Sequence, residues 1–262
     1  MNTKNEMLNT FIANSLYSAT VDKKKLAFIF SAIIDYANKT GKSIKSLHIL
    51  EVGCGSGGIT IPLTTLGCQI RAFDLDRDAI GRIQSIALQN NLQNLVVSVD
   101  DGQNFFDDQH YDIVIASEVF EHVMMPELLA ESIVKRMLDG GYLIVTTPNG
   151  FGPWELFNRI NITIYLKKWN FIRRIFRKPL YKKGSGVDHC QFYTQSRLVR
   201  LFTAHQLKLV KSANSDFILS IFGRLLKKNP FLGKLDTKVA DVLPAWAVSG
   251  WYFVFILAPD HK

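Results

Sequence analysis

Residues 49 to 58, Ile-Leu-Glu-Val-Gly-Cys-Gly-Ser-Gly-Gly, constrain this chain more than any other stretch: an apolar strand runs straight into a glycine turn, with Glu51 two residues before the first glycine. Gly53, Gly55 and Gly57 leave no side chain between backbone and ligand, and glycine tolerates the positive φ that so tight a turn demands. Gly53, Gly55 and Gly58 also satisfy the dinucleotide pattern G-x-G-x-x-G. The glycines alone therefore do not name the ligand.

A second apolar stretch, Cys68 to Asp74, reads as a strand ending in an acid that can accept both hydroxyls of a ribose, a device nicotinamide enzymes share. Glu51 discriminates better. A carboxylate at the end of the first strand suits a ligand carrying an ammonium and a sulfonium, whereas a diphosphate would be repelled. Further on, Leu95 to Gly102 is a third strand ending in Asp100 and Asp101, and Asp112 to Glu118 is a fourth. Leu138 to Asn149 reads as a helix end, a Gly-Gly turn and a fifth strand.

In this order, over residues 47 to 150, the chain resembles the class I S-adenosylmethionine-dependent methyltransferases. The resemblance implies S-adenosyl-L-methionine as cofactor, with Glu51, Gly53, Gly55 and Gly57 around the methionine part and Asp74 on the ribose. Asp101 and the Gly102 backbone would meet the adenine, with Asp100 as the alternative, and Ser117 and Glu118 would line the methionine side. The alternative for Asp100 and Asp101 is a solvated turn.

At 262 residues and 47% hydrophobic content, one globular α/β core with additions is expected, without repeats or low-complexity sequence. The divisions are an N-terminal helical segment (1–46), a cofactor-binding core (47–150), an insertion (151–186), and a C-terminal part of the sheet (187–262) with a second cover segment near 218–240. Three cysteines without C-x-x-C spacing suggest reduced thiols and a cytoplasmic setting, and no histidine pair at i and i+4 suggests a metal, so none is expected. Lys23 to Ile34 imitates a signal-peptide core but lies too far into the chain and continues as an amphipathic helix would. Val242 to Pro259 carries no charge, yet Pro244, Ser249 and Gly250 interrupt it, and Trp251 to Leu257 reads as a buried terminal strand rather than a membrane span.

Charge is unevenly spread. Residues 1–150 carry 12 Lys or Arg against 17 Asp or Glu, and residues 151–262 carry 19 against 6. Between Arg159 and Lys183 lie nine basic residues and no acid, and at helical spacing Phe157, Ile160, Ile164, Trp169, Ile172 and Phe176 fall opposite Arg159, Arg173, Arg174 and Arg177, with Lys168 spoiling the apolar face. A basic amphipathic helix of this kind suits an anionic membrane surface, or serves as a lid over the active site. Nucleic acid is a poorer partner, because the aromatics segregate away from the charges. A second apolar and basic stretch, Ile218 to Lys234, would be another cover, and two such inserts favour a hydrophobic or lipid-attached acceptor.

Methyl transfer from a sulfonium is an in-line displacement, and a hydroxyl acceptor adds the need for a base. His122 lies in Ser117-Glu-Val-Phe-Glu-His-Val, similar to a segment near the reactive end of the cofactor in many small-molecule methyltransferases. His189 lies in a segment that resembles the His-x-x-Phe-Thr of sugar, lipid and quinone O-methyltransferases, where the histidine faces the substrate. Both are candidate bases, and both have plain supporting roles as alternatives. Asp188 would orient His189, Thr194 would cap the helix that follows, and Asn149 and Glu155 would bond the acceptor or simply shape a loop.

The expectation is a Rossmann-like seven-stranded α/β sandwich, mostly parallel with one antiparallel C-terminal strand. Its activity would be methylation, chiefly at oxygen, of a lipophilic or lipid-linked small molecule such as a quinone precursor or glycolipid, in the cytoplasm or at the inner face of the membrane. N-methylation, RNA methylation and a non-catalytic docking module are the competing readings.

Overall fold

The computed structural model describes residues 3–13, 20–105, 108–153, 155–156, 189–217 and 230–259. Of the expected basic insertion (151–186), residues 154 and 157–186, among them Arg173, Arg174 and Arg177, lie outside these residues, as do 187–188 and 218–229.

Helices α1 (Thr3–Ala13) and α2 (Thr20–Thr40) precede the first strand, β1 (His48–Val52). Then come α3 (Thr60–Thr65), β2 (Gln69–Asp74), α4 (Arg77–Gln89), β3 (Leu95–Val99), β4 (Tyr111–Ser117), a 3₁₀ turn (Phe120–His122), α5 (Pro126–Val134) and β5 (Met137–Pro148). The chain closes with α6 (Gln195–Thr203), β6 (Leu207–Asn214), α7 (Pro230–Val242) and β7 (Gly250–Leu257). One seven-stranded sheet results, in the order β3-β2-β1-β4-β5-β7-β6. The first five strands are parallel, and β7 inserts antiparallel between β5 and β6.

Strands buried on both faces read as continuous apolar runs, and β4 and β7 do so here. The two faces carry separate cores. Ile49, Ile113, Ile144 and Val254 pack with Ile29 and Ile33 of α2, while Leu50, Val114, Val145 and Phe253 pack with Leu129 of α5 and Phe202 of α6. Alternation along each strand sends successive residues to opposite cores.

Two local expectations change. No helix ends at Leu138: α5 stops at Val134, Met137 already pairs with Tyr111, and the Gly140–Gly141 step, with Gly140 at φ 72°, accompanies a register shift within a single long strand. Of the second cover segment, residues 230–242 form a helix that packs on α2 and β6, where Lys24 of α2 bonds Asp241 at 2.6 Å.

Candidate active site

Parallel register brings the carboxyl ends of β1, β2, β3 and β4 to one edge of the sheet: Val52 pairs with Phe73 and with Ala116, and Asp74 with Val99. The glycine loop emerges there. Gly53, Gly55 and Gly57 have φ of 67°, 50° and 81°, and each is glycine for its own reason. A Cβ on Gly53 would lie 2.7 Å from Val119, and one on Gly57 would lie 2.9 Å from Ile83, whereas one on Gly55 would meet nothing within 4 Å. The first and third glycines let the loop sit against its neighbours; the middle one borders open space.

Asp74 ties this loop to β2. Its Oδ2 accepts from the Gly55 amide at 2.7 Å and its Oδ1 from the Asp76 amide at 2.9 Å. A carboxylate has about four lone-pair directions, so two backbone bonds leave capacity for hydroxyls. Glu51 is buried beneath the loop, where its Oε2 accepts from the Thr60 hydroxyl at 2.5 Å. Burial is the main cause that pushes its pKa up to about 8; Asp74 adds to the shift, and Thr60 and Lys25 oppose it. Glu51 is therefore largely protonated at neutral pH in the ligand-free protein, and a cationic group arriving beside it restores the charged form.

At the β3 tip the two acids divide. Asp100 accepts from the Ser98 hydroxyl at 2.7 Å and faces Arg71 of β2 at 3.9 Å, while Asp101 caps the next turn by accepting from the Gln103 amide at 3.0 Å and from Asn104 Nδ2 at 3.2 Å. Gly102 is fitted so closely that a Cβ would lie 2.9 Å from Leu129. Beside it Phe73 and Phe105 stack at 4.4 Å.

Ser117 and Glu118 share Thr146 of β5. Ser117 Oγ lies 2.9 Å from its hydroxyl, which donates to Glu118 Oε1 at 2.8 Å. Glu118 sits at φ 57°, a conformation that costs a non-glycine residue free energy and recurs at functional sites.

On the other side of the cleft, His122 and His189 meet edge to face, ring centroids 4.8 Å apart. Glu155, buried after β5, places Oε1 2.8 Å from His189 Nδ1. The orienting acid is thus Glu155; Asp188 lies outside the described residues. Residues 189–193 are strapped across two strand tips: the Cys190 and Gln191 amides both donate to the Glu121 carbonyl, at 2.9 and 3.0 Å, and the Gly150 amide donates to the Tyr193 carbonyl at 3.0 Å. Thr194 then caps α6, accepting from the Arg197 amide. Asn149 is spent on the fold, because its Nδ2 donates to the Trp246 and Val248 carbonyls and its Oδ1 accepts from the Phe151 amide.

The residue that sequence reasoning passed over is Glu121. It is buried, accepts from Thr147 at 3.2 Å through Oε2, and its Oε1 has no hydrogen-bond partner among the described residues. Burial, reinforced by Glu118, raises its pKa well above the carboxylate range. One ligand atom from each of Glu121, His122 and His189 falls within 4.8 Å of the others, so these three side chains could hold a metal ion. Adjacent Glu and His in a strand-tip loop were the available signal, but the third donor comes from a segment far along the chain.

Residues 24–212 match the family model of a methyltransferase domain. The ubiquinone biosynthesis O-methyltransferase of Rickettsia bellii is 33% identical over 127 residues, 48% of this chain and 50% of the relative. The enzyme of that name from Hydrogenovibrio crunogenus is 28% identical over 200 residues, 76% of this chain and 75% of the relative. The chain spans about half the length of several of the curated relatives it matches. Among solved structures, a putative sarcosine dimethylglycine methyltransferase from Galdieria sulphuraria superposes with a TM-score of 0.59 at 14% identity, covering 98% of each chain. The chain belongs to the methyltransferase-domain family, with the fold of the class I S-adenosylmethionine-dependent methyltransferases.

Proposed function

We propose that this protein transfers the methyl group of S-adenosylmethionine to an oxygen of a lipophilic small molecule, a quinone precursor or a lipid-linked sugar, at the inner face of a membrane. The observation that carries the oxygen assignment is the Glu155–His189 pair standing against His122. A hydroxyl must lose its proton as it attacks, and an imidazole whose Nδ1–H bonds a carboxylate has its basic lone pair on Nε2. His189 is the base in this reading and His122 packs against it. Glu51 receives the ammonium of the methionine part, Asp74 the ribose hydroxyls, and Asp101 with the Gly102 backbone the adenine. The names of the relatives support a quinone precursor as acceptor. No helix among the described residues is long and apolar enough to cross a membrane.

The test is isotope transfer from methyl-labelled cofactor into a catechol acceptor, with S-adenosylhomocysteine binding followed by thermal shift. Transfer into the catechol and stabilisation by S-adenosylhomocysteine support the reading. Stabilisation without transfer to catechol, amine, lipid or RNA acceptors would instead favour a docking module that retains the cofactor pocket. Stabilisation by a nicotinamide dinucleotide alone would remove it.

The Glu121, His122 and His189 donors favour a second reading of the same step, in which a bound divalent cation lowers the pKa of the acceptor hydroxyl. Calorimetric titration with manganese separates the two. Binding abolished by Glu121→Gln selects the cation-assisted form, and absence of binding selects the histidine base alone.

A further inference from the structure

Away from the cofactor, a cavity of about 270 Å³ opens between α5 and α6, lined by Pro126, Glu127, Tyr193, Arg197, Arg200 and His205 among others. Three features there bear on what it could hold. The Tyr193 hydroxyl is fully buried, and no hydrogen-bond partner meets it among the described residues, a deficit that costs about 1–3 kcal/mol when nothing fills it. Arg197 lies over the Tyr193 ring at 5.3 Å and donates only to neutral oxygens, those of Gln191 and the Phe192 carbonyl, while Arg200 makes no ion pair among the described residues. Helix α5 begins at the cavity with Pro126 in its first turn and no side-chain cap, so its positive end is unanswered except by Glu127. Two guanidinium groups and an uncapped helix start outweigh the one carboxylate. Together they suit a phosphate.

The rim says which phosphate. Met124, Met125 and Leu128, which flank the lining residues Pro126 and Glu127, are 73%, 54% and 42% exposed. Large apolar groups held in water beside a cationic hollow match a bilayer, where headgroup phosphates lie just above acyl chains.

We propose that the α5–α6 cavity binds the headgroup phosphate of an anionic lipid, with Arg197 and Arg200 as its ligands and Met124, Met125 and Leu128 entering the bilayer. The inference rests on the membrane part of the proposed function and gives it an address in the described fold. Tyr193 belongs to the strap that carries His189, and Gln191 of that strap bonds both Arg197 and the Met124 carbonyl, so a docked headgroup would sit beside the acceptor mouth. A lipophilic acceptor could then pass from bilayer to cleft without crossing water.

The experiment is co-sedimentation of the full chain with phosphatidylglycerol–phosphatidylcholine vesicles, with S-adenosylhomocysteine binding as the check that each variant is folded. Arg200→Glu should weaken vesicle binding about twenty-five-fold, at roughly fivefold per unit charge near an anionic surface. Arg197→Gln should weaken it about fivefold, as expected for loss of one charge. The matching reversal Lys208→Glu, on the exposed sheet edge formed by β6, should have much less effect. Equal losses from Arg200→Glu and Lys208→Glu would show a delocalised field and overturn the site, as would unchanged binding in Arg200→Glu and Arg197→Gln. If inorganic phosphate raises the melting temperature of the parent but not of Arg200→Glu, and vesicles do not bind, the cavity serves a free phosphate and the lipid assignment fails. Methyl transfer to a water-soluble catechol is read separately: vesicle binding without it keeps the headgroup site and removes the catechol acceptor, and transfer without vesicle binding keeps the acceptor and removes the headgroup site.

Discussion

The two walls of the cleft are held in different ways. On the β1–β2 side, main chain meets carboxylate: the glycine loop hangs on Asp74 through the Gly55 amide, and the Cys54 amide reaches the Phe73 carbonyl. On the β4–β5 side, side chains from distant segments hold one another, with Glu155 on His189, His189 on His122, and Thr147 on Glu121. The first wall is set as soon as two parallel strands pair. The second exists only after residues far apart in the chain have closed upon it. Binding and turnover should therefore be separable by mutation.

His189→Ala offers the sharpest break, with kcat expected to fall about 10²–10⁴-fold. S-adenosylhomocysteine affinity, measured by calorimetry, should stay within error of the parent. An equal loss in both would mean that the two walls are one unit. Asp74→Asn is the reciprocal change. Losing a charged acceptor costs about 1.5–3 kcal/mol, so cofactor affinity should drop roughly tenfold to a hundredfold with kcat at saturation little changed.

Glu51 sharpens the comparison through pH. Its folded-state pKa, about 8, lies above the unfolded carboxylate value, so the native state holds a proton that the unfolded chain releases. The contribution is full below the unfolded pKa and is lost as pH rises through about 8. The ligand-free protein should melt progressively lower across that interval, by up to about 1.4 kcal/mol of stability per pH unit. Glu51→Gln should flatten the dependence, and a parallel slope in the variant would assign the effect elsewhere.

The glycines give the smallest effect and the finest dissection. Gly57→Ala should cost about 1–2 kcal/mol of stability, since φ 81° and a 2.9 Å approach to Ile83 both oppose a Cβ. Gly55→Ala, which faces open space, should lower the melting temperature less while weakening cofactor binding more. The reverse ranking would place the ligand on the wrong side of the loop.

Much of the first wall could be read from the sequence because its determinants are local: Glu51, the glycines and Asp74 are spaced by one strand–helix–strand unit. The apolar runs marked the strands, and the resemblance to the methyltransferase fold implied the antiparallel β7; the strand order is visible only in the structure. The second wall was read in fragments. His122 and His189 stood out as residue types, and Thr194 as a cap, but no periodicity tells that Glu155 closes on His189, because that contact spans the insertion. Asn149 stays open in the sequence, because a turn asparagine looks the same whether it serves a ligand or its own loop, and the structure selects the loop. Glu121, adjacent to His122, was overlooked since a carboxylate in a strand-tip loop reads as solvated until burial is known.

The strap at residues 189–193 has one more consequence. Cys190, Gln191 and Tyr193 fasten it to the β4 and β5 tips, and Glu155, near the start of the insertion, pins His189, so residues 157–188 are bracketed by contacts made on either side of them. If His189 is the base proposed above, that stretch can lengthen, shorten or change composition without displacing the imidazole. Were the same stretch also the lid over the acceptor, changes confined to one cassette would alter which molecules are admitted while the base stays put.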